Sequence, residues 1–423
     1  MSKEVRTYEV EDAVERVILV AADLGEPGMD TEACLDELDE LINTAGAVSV
    51  GRITQKRDRR HAGHYLGKGK IEEIGIMADA LDATGIVFDD ELSPSQIRNI
   101  EKMLQMKIMD RTMVILDIFA ARALSKEGKI QVELAQLKYR LSRLSGIGAS
   151  MSRLGGGIGT RGPGEKKLET DRRYVKNRIS ELKKELEELR VHRELLRNQR
   201  GKVGYPVVSL VGYTNAGKST ILNSLTEAGV LAEDKLFATL DTTTRNVILP
   251  GGSSVYLTDT VGFIQKLSHH LVQAFKATLE ELKYADILLH VVDASNPNRI
   301  EHMEVVYKTL KELGCEDKPV ITIFNKMDKE IDLPLPIDSV CTKNVETCAK
   351  DKEGLSNMLV VIEEVIQTFR QSVKVLIPFT EGTLLSMVHE RCEIISEVYT
   401  AEGTEVELFA DEELHNRLKK FVV

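Results

Sequence analysis

The chain lacks what would place it in a membrane or outside the cell. None of its 423 residues fall in a run of about eighteen uninterrupted apolar ones, so no segment reads as a bilayer-spanning helix. Met1 to Val10 carry mixed charge and no apolar core of a signal peptide, so a cytoplasmic chain with no stable membrane insertion is expected. Cysteine is sparse: Cys34, Cys315, Cys341, Cys348 and Cys392 are scattered, odd in number and never spaced Cys-x-x-Cys. That argues against a disulfide framework and a zinc site, and fits a reducing compartment. Positive charge is in the minority, with a net charge of -11, which argues against a uniformly basic nucleic-acid binder but leaves room for a local basic face.

What is present is more than one core's worth of chain. From Val17 short apolar runs alternate with amphipathic helical ones. Strands are expected at Val17 to Ala21, Ala47 to Ile53, Gly85 to Phe88 and Lys107 to Asp110. Helices are expected at Asp30 to Asn43, from the Gly67-Lys68-Gly69-Lys70 turn to Asp82, at Pro94 to Leu104, where Pro94 suits a first helical position, and at Thr112 to Leu124. This βα alternation over residues 1–128 predicts an α/β domain with a mostly parallel sheet. Its basic stretch, Lys56, Arg57, Arg59 and Arg60, has two readings with the turn that follows: a phosphate site for RNA or a second nucleotide, or solvated surface charge. Gly67-Lys68-Gly69-Lys70 does not have the glycine spacing of a Walker A loop.

Over residues 129–202 the period changes. Leu134, Leu137, Leu141 and Leu144 make one helical stripe; Leu168, Val175, Leu182, Leu189 and Leu196 recur every seven residues, with Ile179 and Leu186 between them. A helix from Lys167 to Arg197 is expected, joined to the first by a glycine-rich loop from Gly146 to Gly164. An antiparallel coiled-coil hairpin in a monomer is the simplest architecture; a dimer through the long helix is its competitor. Arg153, Arg161, Lys166, Lys167, Arg172, Arg173, Lys176 and Arg178 outnumber Glu165, Glu169 and Asp171 around the tip. The tip reads either as a probe for RNA, with arginine forks for phosphate and glycines for close approach, or as a linker.

Residues 203–370 carry the chemistry. A buried strand, Val207 to Val211, runs into Gly212-Tyr213-Thr214-Asn215-Ala216-Gly217-Lys218-Ser219. Gly212 and Gly217 let backbone N–H groups turn around an anion at a helix N-terminus. Lys218 would reach the β- and γ-phosphates, and the Ser219 hydroxyl would meet Mg²⁺. Downstream, a strand ends in Asp259-Thr260-Val261-Gly262, where Asp259 can hold Mg²⁺ through water and Gly262 can offer its N–H to the γ-phosphate. Val320 to Phe324 leads into Asn325-Lys326-Met327-Asp328. The Asp328 carboxylate can accept both N–H groups of a guanine edge and Lys326 can lie over the ring. Cys348, Ala349 and Lys350, after Thr347, sit where backbone N–H groups would support the guanine carbonyl. Such a site rejects a base lacking those groups by roughly 10⁴-fold or more. These motifs in this order predict a doubly wound P-loop domain that binds GTP and GDP and hydrolyses GTP.

The run Gly155-Gly156-Gly157-Ile158-Gly159-Thr160-Arg161-Gly162-Pro163-Gly164-Glu165 and the following Leu168-Glu169-Thr170-Asp171-Arg172-Arg173 resemble the HflX family of ribosome-associated GTPases, in the Obg-HflX-like branch of translation-factor-related P-loop GTPases. So do Asp110-Arg111-Thr112, Ile115-Leu116-Asp117-Ile118-Phe119 and Phe237-Ala238-Thr239-Leu240-Asp241. The resemblance covers nearly the whole chain. It implies that Phe237, Ala238, Thr239, Leu240 and Asp241 form the first switch, with Thr239 on Mg²⁺ beside Ser219 and Thr242 or Thr243 as alternatives. Lys218, Thr239 and Gly262 are then the catalytic set. It also implies binding to the large ribosomal subunit and its rRNA, and splitting or rescue of stalled ribosomes.

Two positions depart from the family pattern: Thr242 stands where proline is common, and Cys348 where serine is usual. Where many regulatory GTPases carry a water-positioning glutamine, this chain has Phe263, so slow intrinsic turnover completed by a partner is expected. Asn215 has two readings: a ligand for K⁺, as in related GTPases with asparagine there, or a brace for the loop. Residues 371–423 read as a small α+β domain with no catalytic motif. The rival function is a signalling or scaffold GTPase whose coiled coil recruits protein partners.

Overall fold

A computed structural model describes residues 14–25, 30–151, 163–201, 205–226, 236–266, 271, 279–331, 333–369, 372–409 and 417–422. Arg153, Arg161 and most of the glycine-rich tip lie outside them. The chain divides into two compact units. The first comprises residues 1–121, 132–179 and 266–272; the second comprises 122–131, 180–265 and 273–423.

In the first unit the apolar runs become four parallel strands, β1 (Arg16–Asp23), β2 (Val48–Lys56), β3 (Gly85–Phe88) and β4 (Lys107–Asp110), in the order β2-β1-β3-β4. Val17 to Ala21 are all buried, as expected of a strand covered on both faces. The crossovers are α1 (Thr31–Thr44), α2 (Lys68–Ala80) and α3 (Pro94–Leu104), and α4 (Arg111–Arg122) follows β4. Helix α3 starts where the sequence says it should: Ser93 and Gln96 form a reciprocal capping box and Pro94 occupies the first turn.

The family-specific Asp110-Arg111 pair has a structural task here. The Asp110 carboxylate, fully buried, accepts from the N–H groups of Leu92 (3.1 Å) and Met113 (3.0 Å), from Tyr139 Oη (2.5 Å) and from Arg143 Nη2 (3.2 Å). Tyr139 and Arg143 lie on α5 (Lys126–Met151), the first helix of the hairpin. Arg111 donates to Asp89 (2.7 Å) and Glu37 (2.6 Å).

The second hairpin helix, α6 (Pro163–Gly201), is 39 residues long, about 58 Å at about 1.5 Å per residue. It is longer than the Lys167 to Arg197 expected from periodicity, because Pro163 opens it and the polar flanks continue it. Helix α5 likewise runs through Gly146 and Gly148 to Met151, so the loop is shorter than its glycines suggested. Val175 and Leu182 of the heptad stripe are buried, and Arg178 pairs with Glu133 of α5 at 2.8 Å.

In the second unit six strands order as β10-β9-β8-β5-β7-β6. These are β5 (Val207–Gly212), β6 (Thr243–Ile248), β7 (Ser254–Asp259), β8 (Ile287–Asp293), β9 (Val320–Asn325) and β10 (Lys343–Glu346). All run parallel except the edge strand β6, antiparallel to β7. Sequence periodicity does not show β6 or β10, since each buries a single residue, Val247 and Val345 respectively. Helices α7 (Lys218–Thr226), α8 (Arg299–Glu312) and α9 (Leu355–Phe369) complete this α/β layer. A three-stranded antiparallel sheet, β11 (Ser372–Ile377), β13 (Thr404–Phe409) and β12 (Glu393–Tyr399), packs with α10 (Gly382–Arg391) around Val375, Val388, Val406 and Leu408. The tail reads in sequence as a terminal helix from Asp411 to Phe421, most of which falls outside the described residues. No helix among them is long and apolar enough to cross a membrane.

Candidate nucleotide site

Strand β5 is buried between β7 and β8, so the loop leaving its carboxyl end emerges among the ends of three parallel strands, where open α/β sheets hold ligands. Two glycines are required there by space. A Cβ on Gly212 (φ 152°) would run into the Val291 carbonyl, and one on Gly217 (φ 99°) would run into Asn325 Nδ2. Between them Asn215 takes a left-handed conformation (φ 62°).

The loop opens a cavity lined by Thr214, Asn215, Gly217, Lys218, Ser219, Thr220, Phe237, Ala238, Thr239, Thr260 and Gly262. Of these only Thr220 was passed over in the sequence reading; its place after Gly-Lys-Ser was the available signal. Lys218 is buried, and Nζ donates to the carbonyls of Tyr213 (2.7 Å) and Gly212 (3.2 Å). Burial pushes its ammonium down to about 8, against the pull of Asp259. Ser219 Oγ lies 2.7 Å from Thr239 Oγ1 and donates to Asp259 Oδ2 at 2.6 Å. Burial raises the Asp259 carboxyl, and among the described residues its Oδ1 is buried with no hydrogen-bond partner. Two hydroxyls and a carboxylate with an unsatisfied oxygen are a donor set that suits a hard divalent cation such as Mg²⁺.

The segment after β7 lies against the loop. Phe263 N donates to the Gly212 carbonyl (3.1 Å), and Thr214 N donates to the Phe263 carbonyl (2.8 Å), so the two loops form a short parallel bridge. The Phe263 ring is buried at 3% exposure. Gly262 has no room for a side chain: a Cβ would stand 2.8 Å from Thr214 Cα and 3.0 Å from Lys218 Nζ. Tyr213 points away from the cavity, stacking on His302 at 3.7 Å between ring centroids and accepting from Gln265 N at 2.8 Å. Val261 and Leu240 are buried.

The base-reading motif divides its labour. Asn325 is buried and faces the protein: Nδ2 donates to the Ala216 carbonyl (2.9 Å), and Oδ1 accepts from Thr347 Oγ1 (3.2 Å) and Ala349 N (3.0 Å). It ties the phosphate loop to the 347–349 loop. Met327 packs on the cluster of Val292 and Phe324. Lys326 (φ 64°) pairs with Asp293 at 2.8 Å. Asp328 is exposed, as is Lys350, and the buried Cys348 thiol lies 3.3 Å from Asp328 Oδ1 and 3.2 Å from Asp351 Oδ2, with one S–H to donate to either. The hydrogen bond from that thiol lowers the Asp328 carboxyl below its usual range. The Cys348 side chain thus stands between two carboxylates, which its sequence position did not reveal.

Asp241 does not face the cavity. Its carboxylate is engaged by Leu124 and Ser125, at the start of α5.

Three segments match described families. Residues 32–120 match the GTP-binding GTPase N-terminal family, 122–200 the GTP-binding GTPase Middle Region, and 207–326 the 50S ribosome-binding GTPase family. Among curated relatives, the GTPase HflX of Lacrimispora saccharolytica is 55% identical over 406 residues, covering 96% of each chain. That of Caldanaerobacter subterraneus is 49% identical over 409 residues, covering 97% of this chain and 94% of its own. The Escherichia coli protein of the same name is 46% identical over 304 residues, covering 72% of this chain and 71% of its own. Among solved structures, a GTP-binding protein of Sulfolobus solfataricus in complex with GDP aligns over 84% of this chain and 99% of its own at 24% identity, with a TM-score of 0.44.

Proposed function

The chain belongs to the GTPase HflX family and hydrolyses GTP, and on that premise we propose that it acts on ribosomes, binding the large subunit, splitting or rescuing stalled ribosomes and hydrolysing GTP under stimulation by the ribosome. The observation that carries this reading is Phe263. Its ring is buried, its backbone is engaged by the phosphate loop, and it offers no side-chain hydrogen bond to an attacking water. A site without that group depends on one supplied from outside. The family description matched over 207–326, a 50S ribosome-binding GTPase, points to the large subunit as the supplier.

In this reading Lys218 bridges the β- and γ-phosphates, and the N–H of Gly262 meets the γ-phosphate. Asp328 accepts the guanine N–H pair, with the 348–350 backbone at the carbonyl. Ser219 and Thr239 would hold Mg²⁺ directly and Asp259 would hold it through water; the unsatisfied Asp259 oxygen supports that assignment. The ion, when bound, supplies positive charge to the phosphate oxygens. The protein's part is to hold Thr239 and the Gly262 N–H in place and to keep bulk water from the phosphates.

Turnover of the purified chain, alone and with large subunits, tests the proposal. Alone it should run at about 10⁻⁴ to 10⁻² s⁻¹, rising by at least about tenfold when subunits are added, and the chain should co-sediment with them when loaded with a non-hydrolysable GTP analogue. Fast turnover without a partner, or no association in the GTP state, overturns it and favours the scaffold reading.

A further inference from the structure

The first switch ends in a carboxylate that grips the hairpin instead of the nucleotide. Asp241 Oδ2 accepts the N–H groups of Leu124 (3.0 Å) and Ser125 (2.8 Å), and Oδ1 accepts the Ser125 hydroxyl. Ser125 is the cap of α5, its Oγ accepting from Gly128 N at 2.9 Å. Three donors at the mouth of one helix thus converge on one acidic side chain, where the helix dipole also favours negative charge. The fit is close: a Cβ on Gly128 would collide with the Asp241 carboxylate.

Two residues earlier, Thr239 Oγ1 stands at Ser219 Oγ and near Asp259. The intervening Leu240 is buried, and two residues after Asp241 the chain enters β6, whose Thr243 pairs with Asp259 of β7. Two residues span at most about 7 Å, so while Asp241 holds α5, Thr239 has little freedom to leave the cavity. The base of the hairpin is fastened on the same unit by a second set of charges: Arg193 of α6 pairs with Glu127 of α5 and, at 2.8 Å, with Glu281.

We propose that Asp241 is a positioning residue for GTP binding and hydrolysis. By clasping the first turn of α5 it holds the switch so that Thr239 meets the bound GTP. The same clasp makes the start of the hairpin report whether Thr239 is engaged: loss of the γ-phosphate frees Thr239, and with it the grip on α5. The inference rests on the role given above to Thr239, not on the ribosome.

The test uses the full chain with Mg²⁺, comparing affinity for a non-hydrolysable GTP analogue with affinity for GDP, and amide exchange at residues 124–128. Asp241→Ala and Gly128→Ala should each weaken the analogue by about tenfold, the scale of one lost capping carboxylate, and leave GDP within about twofold. Asp241→Asn, which keeps an acceptor for the N–H groups, should recover part of the loss. In the unmodified chain residues 124–128 should exchange more slowly with the analogue than with GDP, and both Asp241→Ala and Thr239→Ala should abolish that difference. Equal losses for both nucleotides would make the clasp merely structural and overturn the proposal, as would a wild-type analogue affinity in Asp241→Ala and Gly128→Ala while Thr239→Ala weakens it. If Thr239→Ala itself leaves analogue affinity unchanged, the role of Thr239 fails and the inference falls with it. Should Asp241→Ala not fold, Gly128→Ala and Ser125→Ala, which touch neither nucleotide nor switch backbone, read the same contact.

Discussion

The parallel four-stranded sheet and the mostly parallel six-stranded sheet of this chain place acidic residues at the same kind of position and use them in opposite ways. At the carboxyl end of β3, Asp89 is fully buried against Arg111 (2.7 Å) and also pairs with Lys266. Its neighbour Asp90 is held by Arg60 (2.9 Å), Tyr65 and Lys266 (3.5 Å). Despite burial, Lys266, Tyr65 and Arg60 keep the Asp90 carboxyl below its usual range. Asp110, at the end of β4, is satisfied four times over. At the end of β7, by contrast, Asp259 is equally buried yet, among the described residues, keeps one oxygen unmatched, in a site with hydroxyls and a lysine pushed down to about 8. A doubly wound sheet offers a crevice at its strand ends, but a ligand is needed only where buried polar groups there are left incomplete.

The largest test of this contrast lies in the base-reading motif. Asp328→Asn removes the carboxylate proposed to accept the guanine N–H pair and should weaken GTP by about 10⁴-fold; xanthosine triphosphate, whose C2 oxygen could accept from the new amide, should recover much of the loss in a binding titration. In the first sheet the same kind of deletion should cost stability and not nucleotide affinity. Arg111→Ala removes the buried guanidinium from Asp89, which keeps Lys266, and from Glu37, and is expected to destabilise folding by about 3–5 kcal/mol in urea unfolding, with GTP affinity unchanged in the native protein. The smallest effect is on Lys218. Below about pH 8 it is charged and affinity should be flat; above that the neutral amine prevails, binding must take up a proton, and GTP affinity should fall by up to about tenfold per pH unit. Calorimetry in two buffers of different ionisation heat reads that proton directly, and its absence would place Lys218 on the satisfied side of the comparison.

Much of this was legible in the residues. Gly212, Gly217, Lys218 and Ser219 announce a phosphate loop because their conformations and reach are set within eight consecutive positions, and Ser93-Pro94 announces a helix start for the same local reason. Strands β1, β3 and β4 stood out because they are short apolar runs that are almost wholly buried, while β2, which buries only Ile53, was legible from Val48, Val50 and Ile53. Strands β6 and β10 did not, since Thr243 to Ile248 and Lys343 to Glu346 each bury one side chain and are strands by virtue of their neighbours. The Asn325 amide joins Ala216 to Ala349, a link that nothing in an Asn-Lys-x-Asp run announces.

The sequence by itself determined the family and the layered α/β architecture, because each of those rests on motifs or periods spanning a few residues. Only the tertiary structure decided which acids are satisfied and which are open, and which way Asp241 points. Its partners lie 116 and 117 positions away along the chain, and a bond across that distance exists only when packing has brought a switch and a helix mouth together.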